Sequence, residues 1–426
     1  MDGGTPAAAR PRHLPQQGHF GRRRRAAALR LSGRAHDDGL RLGHAVEGRR
    51  ETLEQAGLHR PQPRWREPPA RLQRLPEVDV KLDLSNPAWQ QTLPPGRPVA
   101  ADAPTAACAF SKDGSTVAFA LGDGRVRLLP ADINAAETPA AEPLHGGAVL
   151  ALVGDPAGDG FVSGGDDGRL LRIAADGTAS EIADQKGKWF EHIAAHRATG
   201  AVAASAGKSA FVVKGGEVKE FGPHQSTVAG LDFSKDGSRI ACAHYGGVTV
   251  WSIGQVTLPP RRFAWRGSHV ALKWSTDGKF VATGTQENDI HVWRMAQATD
   301  MRMQGYPAKV KSLSWTADAR FLYTSAQPVF TAWPFSGKGP EGKPPLQFGE
   351  EGAGLISVVA AHPAAEFVAG GYDSGELQLG DIKTRRSVVL KMADGSAVTC
   401  LAWSPDGYRL AVGNDAGTLL VLDLRR

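Results

Sequence analysis

Trp403-Ser404-Pro405-Asp406-Gly407 decides the fold, because near copies of it return along the chain. They are Phe110-Ser111-Lys112-Asp113-Gly114, Phe233-Ser234-Lys235-Asp236-Gly237, Trp274-Ser275-Thr276-Asp277-Gly278 and Trp315-Thr316-Ala317-Asp318-Ala319. Each sets an aromatic at a strand end before a hydroxyl residue and a tight turn. Phe233, Trp274 and Trp315 stand 41 residues apart, Phe110 lies 123 residues before Phe233, and Trp403 follows Trp315 by 88. A fixed period near 40 is the mark of stacked repeats.

Weaker turns fill the gaps, after Val153, Ala195 and Ala361, giving eight copies. Each copy continues with a second apolar run, a tip rich in Gly, Asp or Asn, and a third run such as Val126 to Leu129, Val248 to Trp251, Ile290 to Trp293 or Leu419 to Leu422. These runs are short and alternate or are wholly apolar, as strands are. A sheet of three or four such strands has two apolar faces and leaves both wet when alone. Packed face to face around an axis, the sheets bury both, while the Asp-Gly turns supply the left-handed backbone that tight hairpins require.

Over roughly residues 91 to 426 the sequence resembles the WD-repeat family of β-propellers. The family's Ser-Pro-Asp-Gly turn stands whole at Ser404 to Gly407, and its strand-terminal Trp is kept at Trp251, Trp293 and Trp333. The Asp that usually follows that Trp is replaced by Ser252, Arg294 and Pro334, and survives only as Asp423 after Leu422. The Gly-His pair is represented by Pro223-His224, with Tyr306 and Asp394 in the corresponding places elsewhere; His145, Ser163 and Asp167 come nearest to the family's hydrogen-bonded set. The resemblance implies a propeller, while function has to be argued from the site.

Composition divides the chain near residue 77. Residues 1 to 76 hold 16 Arg, no Lys and 7 acids, a formal charge of +9, so the remainder carries −3 of the chain's +6. Lacking any strand or helix period, this arm reads as disordered. Its clustered Arg could bind nucleic acid by releasing counterions, and it falls far short of a signal peptide, since only Ala26 to Leu29 separate Arg25 from Arg30. Its residue types are also those of GC-rich DNA read outside a gene. The expectation is therefore that the natural product begins near Val78 or Val80. Because the chain runs out two residues after Leu424, a strand between about Asp83 and Ala107 should complete the last sheet.

Chemistry-bearing motifs are few. Gly337 to Lys343 has phosphate-loop spacing but is followed by Pro344, and Ala206-Gly207-Lys208-Ser209 lacks the first Gly and leads into a strand. Such a loop needs a helix N-terminus behind it, so both read as turns. No Cys-x2-Cys or His-x3-His spacing occurs. Cys108, Cys242 and Cys400 fall in separate copies, which reads as buried thiols in a reducing compartment. No stretch of eighteen apolar residues suggests a membrane span.

In WD-repeat propellers the tips between second and third strands share a face with the links entering each first strand, and partners dock there. That pattern gathers Lys188, Trp189, Lys208, His224, Tyr245, Trp265, Arg266, His269, Tyr306, Lys309 and Tyr372 on one rim. The segments 186 to 189, 261 to 266 and 301 to 306 are richer in large side chains than a tip requires, and aromatics and Arg dominate binding hot spots. Part of the set is equally suited to wedging between blades.

The reading is an all-β chain: a disordered arm over 1–76, and over 77–426 a WD-repeat-like β-propeller of eight four-stranded blades, or seven if the copy near Ala195 merely fills a gap. Its expected work is non-catalytic and cofactor-free, as a cytoplasmic, monomeric scaffold for other proteins, with nucleic acid engaged only through the arm. The alternative is a propeller binding a ligand or metal in its central channel, with His244, His269 and His291 as the candidate cluster.

Overall fold

The computed structural model describes residues 82, 84, 89, 92–138, 142–255, 257–337 and 339–425. The arm over 1–76 and the proposed start near Val78 lie outside the described residues. The elements are β-strands. β1 (Gly96–Ala100) precedes a three-stranded sheet of β2 (Thr105–Phe110), β3 (Thr116–Leu121) and β4 (Val126–Pro130). Two four-stranded sheets follow, β5 (Val149–Gly154), β6 (Phe161–Gly165), β7 (Arg169–Ile173) and β8 (Ala179–Asp184), then β9 (Phe190–His196), β10 (Ala201–Ala206), β11 (Ser209–Lys214) and β12 (Glu217–Phe221). A six-stranded sheet comprises β13 (Gly230–Phe233), β14 (Arg239–Ser252), β15 (Arg261–Trp274), β16 (Phe280–Thr285), β17 (Ile290–Arg294) and β18 (Thr299–Met303). Next come β19 (Leu313–Trp315), β20 (Phe321–Thr324), β21 (Phe330–Pro334) and β22 (Leu346–Phe348), then β23 (Ile356–Ala361), β24 (Phe367–Tyr372), β25 (Leu377–Asp381) and β26 (Arg386–Lys391). The last sheet joins β27 (Val398–Trp403), β28 (Arg409–Asn414) and β29 (Thr418–Asp423) to β1.

The recurring turns explain the strand spacing. In each, the hydroxyl donates to the Asp carboxylate two residues on: Ser111 to Asp113 and Ser234 to Asp236 at 2.6 Å, Ser275 to Asp277 and Thr316 to Asp318 at 2.7 Å, and likewise Ser404 to Asp406. The same carboxylate accepts a backbone N–H beyond the turn, as from Ser115 at 3.0 Å and Tyr408 at 3.1 Å. The residue after each Asp is left-handed, with φ of 76° at Gly114 and 59° at Ala319, where the Cβ is carried at a cost that Gly avoids.

The cores lie between neighbouring sheets. Phe280, Ile290 and Val292 of one sheet pack with Leu313, Trp315, Leu322 and Trp333 of the next. Burying each such side chain is worth about 1.5–3 kcal/mol relative to leaving it in water. Inner strands β2, β5, β9, β13, the end of β15, β19, β23 and β27 each touch the next, and β27 touches β2, so the array closes on itself.

The expected closing strand is β1, antiparallel to β29 with Gly96 opposite Leu422 and Ala100 opposite Thr418. It joins the two ends of the propeller in one sheet and leaves β29 no free edge. Leu82, Leu84 and Trp89 bury against Leu410, Leu422 and Leu424 of the same sheet.

Counted as continuous sheets, the described residues form seven, the alternative count rather than eight, because one six-stranded sheet carries two of the eight inner strands. The reason differs from the one expected, since the copy near Ala195 is a complete four-stranded sheet, β9 to β12. It is the copies of Phe233 and Trp274 that merge, because β15 pairs with β14 through its first half and with β16 through its second. Tyr245, midway along β14, is drawn into register with Ser268, and glycines at φ of 92° (Gly246) and 142° (Gly267) let both strands bend without breaking.

Candidate partner-binding rim

Backbone hydrogen bonds tie the tips to the links on one face of the ring. Gly122 N–H donates to Pro104 O at 2.8 Å, Asp166 to Ala148 and Asp373 to Leu355 at 3.0 Å, Gln286 to Ser268 at 2.9 Å, and Asp415 to Ala397 at 3.0 Å. Each bond joins the tip of one repeat to the link that enters that repeat's first strand, so the rim's loops are held as a belt rather than left as free hairpins.

The second repeat carries a three-residue version of the family's bonded set. His145 places Nε2 2.8 Å from Ser163 Oγ and Nδ1 3.0 Å from Asp167 Oδ1, while Asp167 also accepts the N–H of Gly146 at 2.9 Å and of Arg169 at 3.0 Å. Partial burial pushes the Asp167 carboxyl upward, and these bonds outweigh it, leaving the group below its ordinary range.

The eleven rim residues fall into two groups. Lys188, Lys208, Arg266 and Lys309 are exposed, Trp189 and Tyr245 show 56% and 50% of their surface, and Trp265 is half-buried. His224, His269, Tyr306 and Tyr372 are buried and brace the face from below. His224 is fixed as the neutral Nδ1–H tautomer: Nδ1 donates to Lys208 O at 2.8 Å and Nε2 accepts from Trp251 Nε1 at 2.9 Å, and burial holds its pKa down. His269 lies 2.8 Å from Thr283 Oγ1, and burial lowers its pKa too. Tyr306 accepts from Trp333 Nε1 at 2.6 Å, lies 2.9 Å from Thr324 Oγ1, and is pushed by burial up to about 12. Tyr372 donates to Pro328 O at 3.3 Å. Trp265 stacks on the buried ring of His291 at 4.0 Å, so one of its faces is already covered.

The histidines of the channel alternative have other partners. His244 lies 2.8 Å from both Tyr245 O and Thr249 Oγ1, and His291 sits between Trp265, Trp293 and Asp300. Among the described residues no three His, Cys, Asp or Glu side chains gather as a metal-binding group. A cavity of about 310 Å³ lies among the inner strands, lined by Leu150, His192, Leu231, Leu272, Lys273 and Lys311 and by none of these three histidines. The phosphate-loop lookalike at 206–209 is the β10–β11 hairpin, with Ala206 opposite Ser209.

Sequence reasoning left out Lys186, Arg262 and Met392, all exposed on the same loops or the strand leading to them. Lys186 and Arg262 stand inside two segments already marked for their large side chains, and a loop-by-loop charge count would have found them.

The family described as "WD domain, G-beta repeat" matches residues 215–252, 263–294 and 387–423. Three segments of this β-propeller are WD repeats. Actin-interacting protein 1 of Caenorhabditis elegans is 24% identical over 199 residues, 46% of this chain and 25% of that protein, so the WD-repeat chain matches about a quarter of that relative's length. The crystal structure of the computationally designed Ika8 protein is similar with a TM-score of 0.60 at 20% identity, covering 76% of this chain and 97% of that one. That likeness concerns the fold alone. Among the described residues of this propeller no helix is long and apolar enough to cross a membrane.

Proposed function

We propose that this WD-repeat propeller is a non-catalytic scaffold, monomeric and cytoplasmic, that docks protein partners on its tip-and-link rim. The observation that carries the reading is the pair Trp189 and Tyr245, large aromatics left half open to water on loops whose backbones are bonded in place: Lys188 N–H donates to Gln185 O at 2.9 Å, and Tyr245 N–H to Ser226 Oγ at 2.7 Å. Pre-ordered aromatics lose little entropy on binding, which is why such residues anchor interfaces. The name of the C. elegans relative, actin-interacting protein 1, agrees with a protein partner.

The test is a Trp189→Ala/Tyr245→Ala variant, compared with the parent in affinity capture and in thermal unfolding. The reading expects capture of specific proteins to fall at least about tenfold while the unfolding temperature holds. Unchanged capture by a folded variant overturns it.

A further inference from the structure

The rim is divided by charge. Along the loops between residues 185 and 312, Lys186, Lys188, Lys208, Arg262, Arg266 and Lys309 are exposed, and none forms an ion pair among the described residues. Two acids share these loops, and the exposed Asp184 ends β8, the strand that leads to the first of the loops. Asp289 is buried and neutralised by Arg302, and Glu287 is exposed beside Gly267. Continuing around the same face, the loops carry the exposed acids Glu351, Asp373, Asp415 and Asp102 instead. Trp189 and Tyr245 both stand in the basic half, on neighbouring repeats.

Resting on the proposed function, we propose that the basic half of the rim docks an acidic segment of a partner protein, with an apolar side chain of that segment packed on Trp189 or Tyr245. Six cations against the exposed carboxylates of Glu287 and Asp184 leave a net positive field that attracts carboxylates and repels basic segments. The aromatics supply the apolar contact that charge alone lacks. A nucleic acid shares the charge but suits the rim less well. Its backbone is a continuous polyanion, and beyond the arc from Lys186 to Lys309 it would meet Glu351 and Asp373. A short acidic segment ends before that border.

The experiment measures fluorescence anisotropy of the full chain with three labelled peptides of equal length, each with one central Trp: one rich in Asp and Glu, one with Asn and Gln in their place, one rich in Lys. The acidic peptide should bind at about 0.1 M salt and weaken as salt rises. Binding should drop about tenfold or more in Lys188→Glu/Arg266→Glu/Lys309→Glu, and that variant should gain affinity for the Lys-rich peptide. These side chains are exposed, and a matching unfolding temperature verifies the fold; if the variant does not fold, the salt dependence and the Asn/Gln peptide still decide. Equal binding of the Asn/Gln peptide overturns the proposal, as does unchanged acidic-peptide binding in the charge-reversed protein, which would place the contact on the Arg-rich arm. Tighter binding of a single-stranded oligonucleotide of the same charge overturns it in favour of nucleic acid. If charge reversal has no effect but Trp189→Ala/Tyr245→Ala abolishes partner capture, the acidic partner falls and the docking rim stands; if neither matters, both fall.

Discussion

The indole N–H of Trp333 donates to the hydroxyl of Tyr306 at 2.6 Å, and that hydroxyl lies 2.9 Å from Thr324 Oγ1. Tyrosine thereby takes the place that histidine holds where His224 accepts from Trp251. A phenol can accept from the indole and still donate, so the chemistry of the family's bonded set survives a change of residue type.

Tyr306→Phe removes the one atom that satisfies the Trp333 donor. All three side chains are buried, so the substitution should cost about 1–3 kcal/mol, read by denaturant unfolding. A cycle with Trp333→Phe should show the two losses to be far from additive, because either change breaks the same bond.

Trp265→Ala should behave differently from the exposed aromatics of the rim. It strips the stacking partner from buried His291 and should lower stability by about 1–3 kcal/mol. Trp189→Ala should stay within about 0.5 kcal/mol of the parent. Thermal unfolding of the two variants side by side checks the division of the rim into bracing and exposed residues.

The seam between the first and last repeats is tight at Gly413, where a Cβ would stand 2.5 Å from Thr105 Cγ2 and 2.7 Å from Cys400 Sγ. Gly413→Ala should therefore cost about 1–3 kcal/mol through overpacking. Gly187→Ala, at an exposed link where nothing lies within 4 Å, tests backbone strain alone at φ of 76° and should cost less. Chemical denaturation of the pair gives the ranking.

The recurring turns predict an acid limb in stability. The Ser111 hydroxyl, aided by the Ser115 N–H, holds Asp113 at about 2. At Asp236, Asp277 and Asp318 partial burial works upward, and hydrogen bonds from the turn outweigh it, so these too lie below the ordinary range. A lowered carboxylate means the unfolded chain takes up its proton first as pH falls. The stabilisation is then whole above about pH 4 and is lost on the way down to about 2. Each turn is partly solvated, which shrinks its share. Melting temperatures measured from pH 5 to 2.5 should fall less steeply when these four aspartates are replaced by Asn; parallel profiles would remove the turns as the cause.

Much of the architecture was legible in the residues. The aromatic before each Ser/Thr-x-Asp turn gave the period, and the strand expected between about Asp83 and Ala107 to complete the last sheet is found as β1. The number of sheets was not legible, since pairing of Tyr245 with Ser268 is a long-range choice that Gly246 and Gly267 permit without dictating. At the rim, topology put the residues on one face, but a His or Tyr near a tip can turn inward as readily as outward. Which it does depends on a partner such as Trp251 for His224 or Trp333 for Tyr306, many residues away in the chain.

Everything proposed for the rim requires that the propeller close through β1, so native-state hydrogen exchange at that strand is the most direct test. The amides of β1, and that of Ala101, which donates to Gly417 O at 2.9 Å, should exchange together with those of β28 and β29 in one cooperative opening. Exchange of β1 at the rate of an unpaired segment, with β28 still protected, would contradict the closed ring.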